Sequence, residues 1–314
     1  MSKVKFMRHL IKNSATQVFV FKVAIIACPG FEDLMKKKLS NIRELKFYTP
    51  YGTPSDTFVE GDLHGLRCVI LARHNRKNFI RPEAVNSCAN IWGLQQLGVT
   101  HVLSVFAGCS LMERIQPGDF VIPDDFIDLT GLRTSLYRPP KRDCHVMMKP
   151  AFSELLTKLL MDAADELRIE VHKGGLIMAS KEAICYTNMQ SSMYRIMGGH
   201  LVTQNIVPEA VLSKEAGLFY SPFSIVVSYD SCFKTRSIDF HQVVDKYVHN
   251  LKLVTDIFSL AIDKIQRINW TSSIIHFRNM LMLSRPKLIR LYDARLIISR
   301  RLMSGESYKK RKKT

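Results

Sequence analysis

The feature that most constrains this chain is a series of short apolar, β-branched-rich runs, each breaking off into a turn-forming or polar loop. The run at 18–27 ends at Pro29-Gly30, the run at 68–72 at Arg73-His74, and the run at 102–106 at Ala107-Gly108-Cys109-Ser110. Runs of this length without polar alternation predict strands buried on both faces. Residues 120–123 predict another, introduced by the turn Gln116-Pro117-Gly118-Asp119. Segments 176–179, 201–204 and 223–227 are further short apolar runs.

Helical spacing fills the intervals. At 84–97 it runs through Ala89, Trp92, Gly93 and Gln96 and stops at Gly98. At 151–167 one face collects Phe152, Leu155, Leu156, Leu159, Leu160, Ala163 and Leu167. A helix is expected at 208–215, and a long one at 240–268 with Val243, Val244, Tyr247, Leu251, Val254, Ile257, Phe258, Ala261 and Ile265 on its apolar side. Strands alternating with helices predict an α/β domain whose ligand site lies at the C-terminal ends of the strands.

Composition narrows the function classes. The seven cysteines are scattered, odd in number and without a Cys-x-x-Cys pair, which points to a reducing compartment. The histidines offer no short-spaced pairing with them, so no metal site is expected. No apolar stretch reaches the roughly 18–20 residues of a membrane-crossing helix, and a soluble cytoplasmic protein is expected. The formal charge of +17 is polarised: residues 281–314 carry eleven basic side chains against two acidic ones. That pattern reads as a basic tail on a milder globule, with a basic N-terminal arm at 1–19, a folded domain at 20–280 and an extension at 281–314. Segment 1–17 is basic and lacks acids like a mitochondrial presequence, but has few serines and one arginine, so it reads as an ordinary arm.

Several segments in order resemble the methylthioadenosine phosphorylase branch of the purine nucleoside phosphorylase family. They are Leu71-Ala72-Arg73-His74, Val85-Asn86 with Ala89-Asn90-Ile91-Trp92, Gly98-Val99-Thr100-His101-Val102, Ile115-Gln116-Pro117-Gly118-Asp119, Phe126-Ile127-Asp128, Cys144-His145, and Val207-Pro208-Glu209 running into Lys214-Glu215-Ala216-Gly217. The resemblance covers about residues 20–280. It implies a single-domain nucleoside phosphorylase-like fold with a mixed central sheet flanked by helices, and a homotrimer. It also implies a glycosyltransferase that uses phosphate, with no other cofactor, to displace a purine from 5′-methylthioadenosine or a related nucleoside. Arg73, His74, Ala107 and Asn205 would hold phosphate, Gln204, Ser231 and His145 would approach the nucleoside, and Asp230 would assist the departing base.

The chain departs from the family pattern at defined places. The family's Gly-Gly-Thr-Gly loop reads Ala27-Cys28-Pro29-Gly30, and proline supplies neither a hydroxyl nor a backbone donor. A family threonine becomes Phe106, another becomes Asn205, and Glu-Gly-Pro-Arg-Phe-Ser is replaced by Ser180-Lys181-Glu182-Ala183-Ile184-Cys185. Asp-Tyr-Asp-Cys-Trp becomes Tyr229-Asp230-Ser231-Cys232-Phe233, leaving Asp230 displaced by one residue. A one-residue displacement on a regular strand turns a side chain to the opposite face, whereas a bulge would let Asp230 serve. These departures leave open a second reading, a catalytically impaired relative that binds a nucleoside or a partner. In the tail, Leu288, Leu291, Tyr292 and Leu296 fall at helical spacing among arginines, before the basic run 309–313. It reads either as a packed helix with a solvated end, or as a signal for nuclear import, nucleic acid or an anionic membrane surface.

Overall fold

A computed structural model describes residues 21–46, 48–132, 134–137, 146–181, 186–230 and 240–283, with side chains from 244 to 281 in the last segment. The predicted strands form the middle of the sheet. β1 (Val23–Ala27) lies between β4 (Leu66–Ala72) and β5 (His101–Ser110), parallel to both, with Val23 opposite Cys68 and His101. β11 (Phe219–Tyr229) runs parallel along the whole of β5. Beyond it come β6 (Phe120–Ile122) and β8 (His172–Lys173). The far end of β5 pairs antiparallel with β10 (Leu201–Thr203), which continues through β9 (Leu176–Ala179) to β7 (Asp125–Asp128). The opposite margin is antiparallel, β4 to β3 (Phe58–Leu63) to β2 (Ser40–Leu45). The sheet is therefore mixed and forks at β5.

Alternate residues of the central strands bury into two cores. Val23, Ile25, Cys68, Ile70, Leu103 and Val105 face α1 (Phe31–Lys38), α3 (Glu154–Glu166) and α6 (Phe240–Gln266). Ala24, Ile26, Val69, Leu71, Val102 and Phe106 face α2 (Ser87–Gln96) and α5 (Glu209–Ala216). Two covered faces explain why these strands read as continuous apolar runs. α2 begins where Asn86 accepts the N–H of Ala89 at 3.1 Å. A Cβ at Gly93 would stand 2.5 Å from the Phe58 ring, so only glycine lets α2 approach β3. α4 (Asn188–Ile196) starts with a capping box between Thr187 and Gln190. α7 (Thr271–Leu283) follows α6, with Trp270 just ahead of it and Ile274 and Leu281 within it buried.

Two details differ from the sequence expectation. In α3 the buried stripe is Leu156, Leu159, Leu160 and Ala163, whereas Leu155 and Leu167 are exposed. The strip of α3 that meets α6 and the sheet is narrower than the full set of apolar residues at its spacing. In α6, Val244 is likewise exposed, about two turns before the buried apolar stretch that begins at Leu251. Among the described residues no helix is long and apolar enough to cross a membrane, and no three His, Cys, Asp or Glu side chains converge as a metal site.

Candidate functional site

β1 and β4 end side by side, because Ala27 pairs with Ala72 and the Arg73 N–H continues the ladder to the Ala27 carbonyl at 3.1 Å, while β5, with Ser104 opposite Ile26, runs on past them. The loop 28–30, the pair Arg73-His74 and the stretch 105–107 consequently share one edge. Arg73 turns inward and is 1% exposed. Its Nε donates to Glu209 Oε1 at 2.5 Å and its Nη2 to Glu209 Oε2 at 3.0 Å. Nη2 also donates to Ser104 Oγ at 2.6 Å, and Nη1 to the Val105 carbonyl at 2.8 Å. Four of the five guanidinium N–H groups are thus engaged, and one Nη1 hydrogen remains. Burial opposes the positive charge of Arg73, yet the Glu209 carboxylate outweighs it and the pKa rises above the ordinary arginine value. Glu209 in turn accepts from Ser104 Oγ at 3.2 Å and Tyr220 OH at 3.1 Å.

Glu209 opens α5 immediately after Val207-Pro208, and sequence reasoning assigned it no part in the site. The available signal was an acid in the first turn of a helix, which ordinarily reads as a favourable partner of the helix dipole.

Arg73, Gln204, Asn205 and Glu209 line one cavity of about 360 Å³, walled on its other side by Tyr51, Asn86, Thr130, Leu132, Thr134 and Lys181. The far wall is held by Glu215, which accepts Ser135 Oγ and the Leu136 N–H, both at 2.8 Å, and by Tyr51 OH, which donates to the Leu136 carbonyl at 2.6 Å. His74 lies beside Arg73. Burial first, and the Arg73 charge second, lower its pKa, so the ring is neutral near pH 7. His74 Nδ1 meets the Ile80 carbonyl at 2.8 Å, and that acceptor requires the proton on Nδ1. The other ring nitrogen is thereby left as an acceptor. Phe79 stacks on the imidazole with ring centroids 5.2 Å apart. Ala107 follows two residues after Val105, with its carbonyl strapped to β10 by Thr203 Oγ1 at 3.0 Å.

Asp230 is placed differently. β11 does bulge: Val226 pairs with Gly108 and Ser228 with Cys109, leaving Val227 extra. Past the bulge the Asp230 N–H donates to the Ser110 carbonyl at 2.9 Å, and its buried carboxylate accepts a short hydrogen bond from Ser191 of α4. It is not part of the lining of the cavity that holds Arg73. His145 and Ser231 lie outside the described residues.

Residues 23–259 match the phosphorylase superfamily model. The chain belongs to the phosphorylase superfamily. Within it, the S-methyl-5'-thioadenosine phosphorylase of Drosophila pseudoobscura pseudoobscura is 37% identical over 262 residues, covering 81% of this chain and 90% of that one. The purine nucleoside phosphorylase of the same fly is 32% identical over 263 residues, 82% of this chain and 91% of its own length. A mutant adenosine/methylthioadenosine phosphorylase from Schistosoma mansoni, solved in complex with methylthioadenosine, superposes with a TM-score of 0.79 at 33% identity, covering 85% of this chain and all of that one. The phosphorylase fold thus accounts for the mixed sheet, and the branch is that of the methylthioadenosine phosphorylases.

Proposed function

We propose that this chain is a purine nucleoside phosphorylase acting on 5′-methylthioadenosine or a close relative, with inorganic phosphate as co-substrate and no further cofactor. The observation that carries this reading is the cavity in which Arg73, Gln204 and Asn205 converge at the strand ends. In the reaction a phosphate oxygen bonds to the sugar C1′ while the bond from C1′ to the purine nitrogen breaks. The purine leaves with the electron pair and takes up a proton. Arg73, His74, Asn205 and the backbone at Ala107 would orient the anion, Gln204 with Ser231 and His145 the nucleoside, and Asp230 the proton. Incubating the protein with methylthioadenosine, adenosine or inosine, with and without phosphate, tests it. Absence of phosphate-dependent base release from all three refutes it.

A second reading, a nucleoside-binding relative without turnover, is favoured by the engagement of Arg73 with Glu209 and of Asp230 with Ser191. Calorimetric titration with methylthioadenosine separates the two: binding without turnover supports the second.

We also infer a homotrimer, the assembly the resemblance implies. It is supported by an apolar stripe on α4 and its C-cap, where Met189, Met193, Ile196 and Met197 stand exposed at helical spacing. Sedimentation at micromolar concentration measures it. A cytoplasmic or nuclear location, and anionic partners for the tail, belong to the same proposal.

A further inference from the structure

A departing purine carries away the electron pair of its bond to C1′, so the cavity needs a group that meets the negative charge and supplies a proton. The resemblance gives that task to Asp230. Asp230 is absent from the lining of the cavity that holds Arg73, and its carboxylate accepts the Ser191 hydroxyl. A donor on the cavity wall has to come from elsewhere.

Among the described residues, the ionisable side chains on that wall are Tyr51, Arg73, Glu83, Cys88, Lys181 and Glu209. Tyr51 OH is spent on the Leu136 carbonyl at 2.6 Å, and the buried Cys88 thiol faces the Ser135 carbonyl at 3.9 Å. Arg73 is held by Glu209, and a guanidinium does not give up its proton. Glu209 accepts four hydrogen bonds and so acts as a carboxylate. Glu83 is an exposed carboxylate, an acceptor. Lys181 differs from all five. Its ammonium carries three donors, and among the described residues no hydrogen bond or ion pair engages it. It is exposed, so water can return a proton to it.

Strand pairing puts it there. Ala179 of β9 lies opposite Thr203 of β10 in parallel register, and the Ser180 N–H extends the ladder to the Thr203 carbonyl at 2.9 Å. Lys181 therefore leaves the end of β9 beside Gln204 and Asn205 as they leave β10, and all three line the cavity. Arg73 and Glu209 neutralise one another, whereas the Lys181 charge is unpaired.

We propose that Lys181 is the general acid of this cavity. As a phosphate oxygen bonds to C1′ and the bond from C1′ to the purine breaks, the electron pair stays on the purine. A proton passes from Lys181 Nζ to a purine ring nitrogen, and the neutral amine regains one from water. This rests on the phosphorylase reading and moves the proton donor from Asp230 to Lys181. An ammonium also places positive charge where negative charge develops, before the proton moves.

The test is steady-state phosphorolysis by the wild type, Lys181→Met and Asp230→Asn. The substrates are whichever of methylthioadenosine, adenosine and inosine the wild type cleaves fastest, and the 7-methyl derivative of that nucleoside. The methyl group makes the purine ring cationic, so the base departs neutral and needs no proton. General acid catalysis contributes about 10²–10⁴-fold, so Lys181→Met is expected to lower kcat on the parent nucleoside at least about a hundredfold. KM for the parent, and cleavage of the 7-methyl derivative, should each change less than about threefold. A parent kcat within about threefold of wild type, or an equal loss on both substrates, overturns the assignment. A loss confined to the parent nucleoside in Asp230→Asn, with Lys181→Met unimpaired, returns the proton to Asp230. Absence of phosphate-dependent base release by the wild type overturns the functional reading beneath the assignment, and it is seen without any variant.

Discussion

Replacing Glu209 by glutamine is the sharpest test of how the site is built. The carboxylate is 1% exposed and accepts four hydrogen bonds: two from Arg73, one from Ser104 and one from Tyr220. The amide keeps the volume but offers an acceptor on one atom only, and its NH₂ group must face donors. At least one buried donor loses its acceptor, and Arg73 keeps a charge with no counterion in a low-dielectric interior. Breaking a buried pair from one side typically costs about 3–5 kcal/mol. For a domain of this size each kcal/mol lowers Tm by roughly 2–4 °C, so Glu209→Gln is expected to melt on the order of 10 °C below wild type. Urea unfolding should give a lower midpoint at unchanged m-value. Arg73→Met combined with Glu209→Met should be less destabilised than the sum of the two single changes by at least about 2 kcal/mol, since the partners are directly coupled. A cost below about 1 kcal/mol for Glu209→Gln, or simple additivity in the double mutant, would refute the claim that this pair organises the strand ends.

Other outcomes follow from individual contacts. His101 is packed against Phe21, Phe219 and Trp270, with Nε2 unpartnered, and burial lowers its pKa to about 3. Because the unfolded imidazole titrates near 6.5, the contribution of the neutral ring is present above pH 6.5 and is lost as pH falls toward 3, by roughly 5 kcal/mol in all. His101→Phe should therefore lose less stability than wild type between pH 6.5 and 4, measured by urea midpoints at each pH. Pro29→Thr restores a hydroxyl and an N–H to the first loop and is expected to tighten phosphate binding about tenfold; calorimetry showing no gain would mean that the proline is not what limits the site. Thr187→Ala removes one half of the α4 capping box and should cost about 1 kcal/mol in thermal unfolding. Deleting 284–314, which begins just past α7, should preserve phosphate-dependent base release while weakening oligonucleotide binding and flattening its salt dependence. An unchanged slope places any such binding elsewhere.

The parts of the fold that were legible in the sequence are those where burial imposes a pattern. β1, β4, β5, β9 and the helices α3 and α6 carry either doubly covered apolar runs or a long apolar stripe. β2 does not: all but the last of its residues are exposed, it includes Arg43 and Glu44, and it pairs on one side only, so neither face nor charge marks it as a strand. α4 was invisible for the opposite reason, since most residues at its apolar spacing face outward and the side chains it buries are Ser191 and Tyr194.

The site divides along the same line. Arg73 and Asn205 could be placed from strand-end motifs because backbone pairing carries them to a common edge. Asp230 could not be placed by counting, because the orientation of every residue past Val226 depends on whether the strand takes up one extra residue there. With the bulge formed, the carboxylate finds a hydroxyl on α4 and stands outside the lining of the cavity that holds Arg73. Strand periodicity therefore fixes which side chains reach the cavity at the strand ends, while the position of Asp230 depends on a local irregularity that periodicity cannot report.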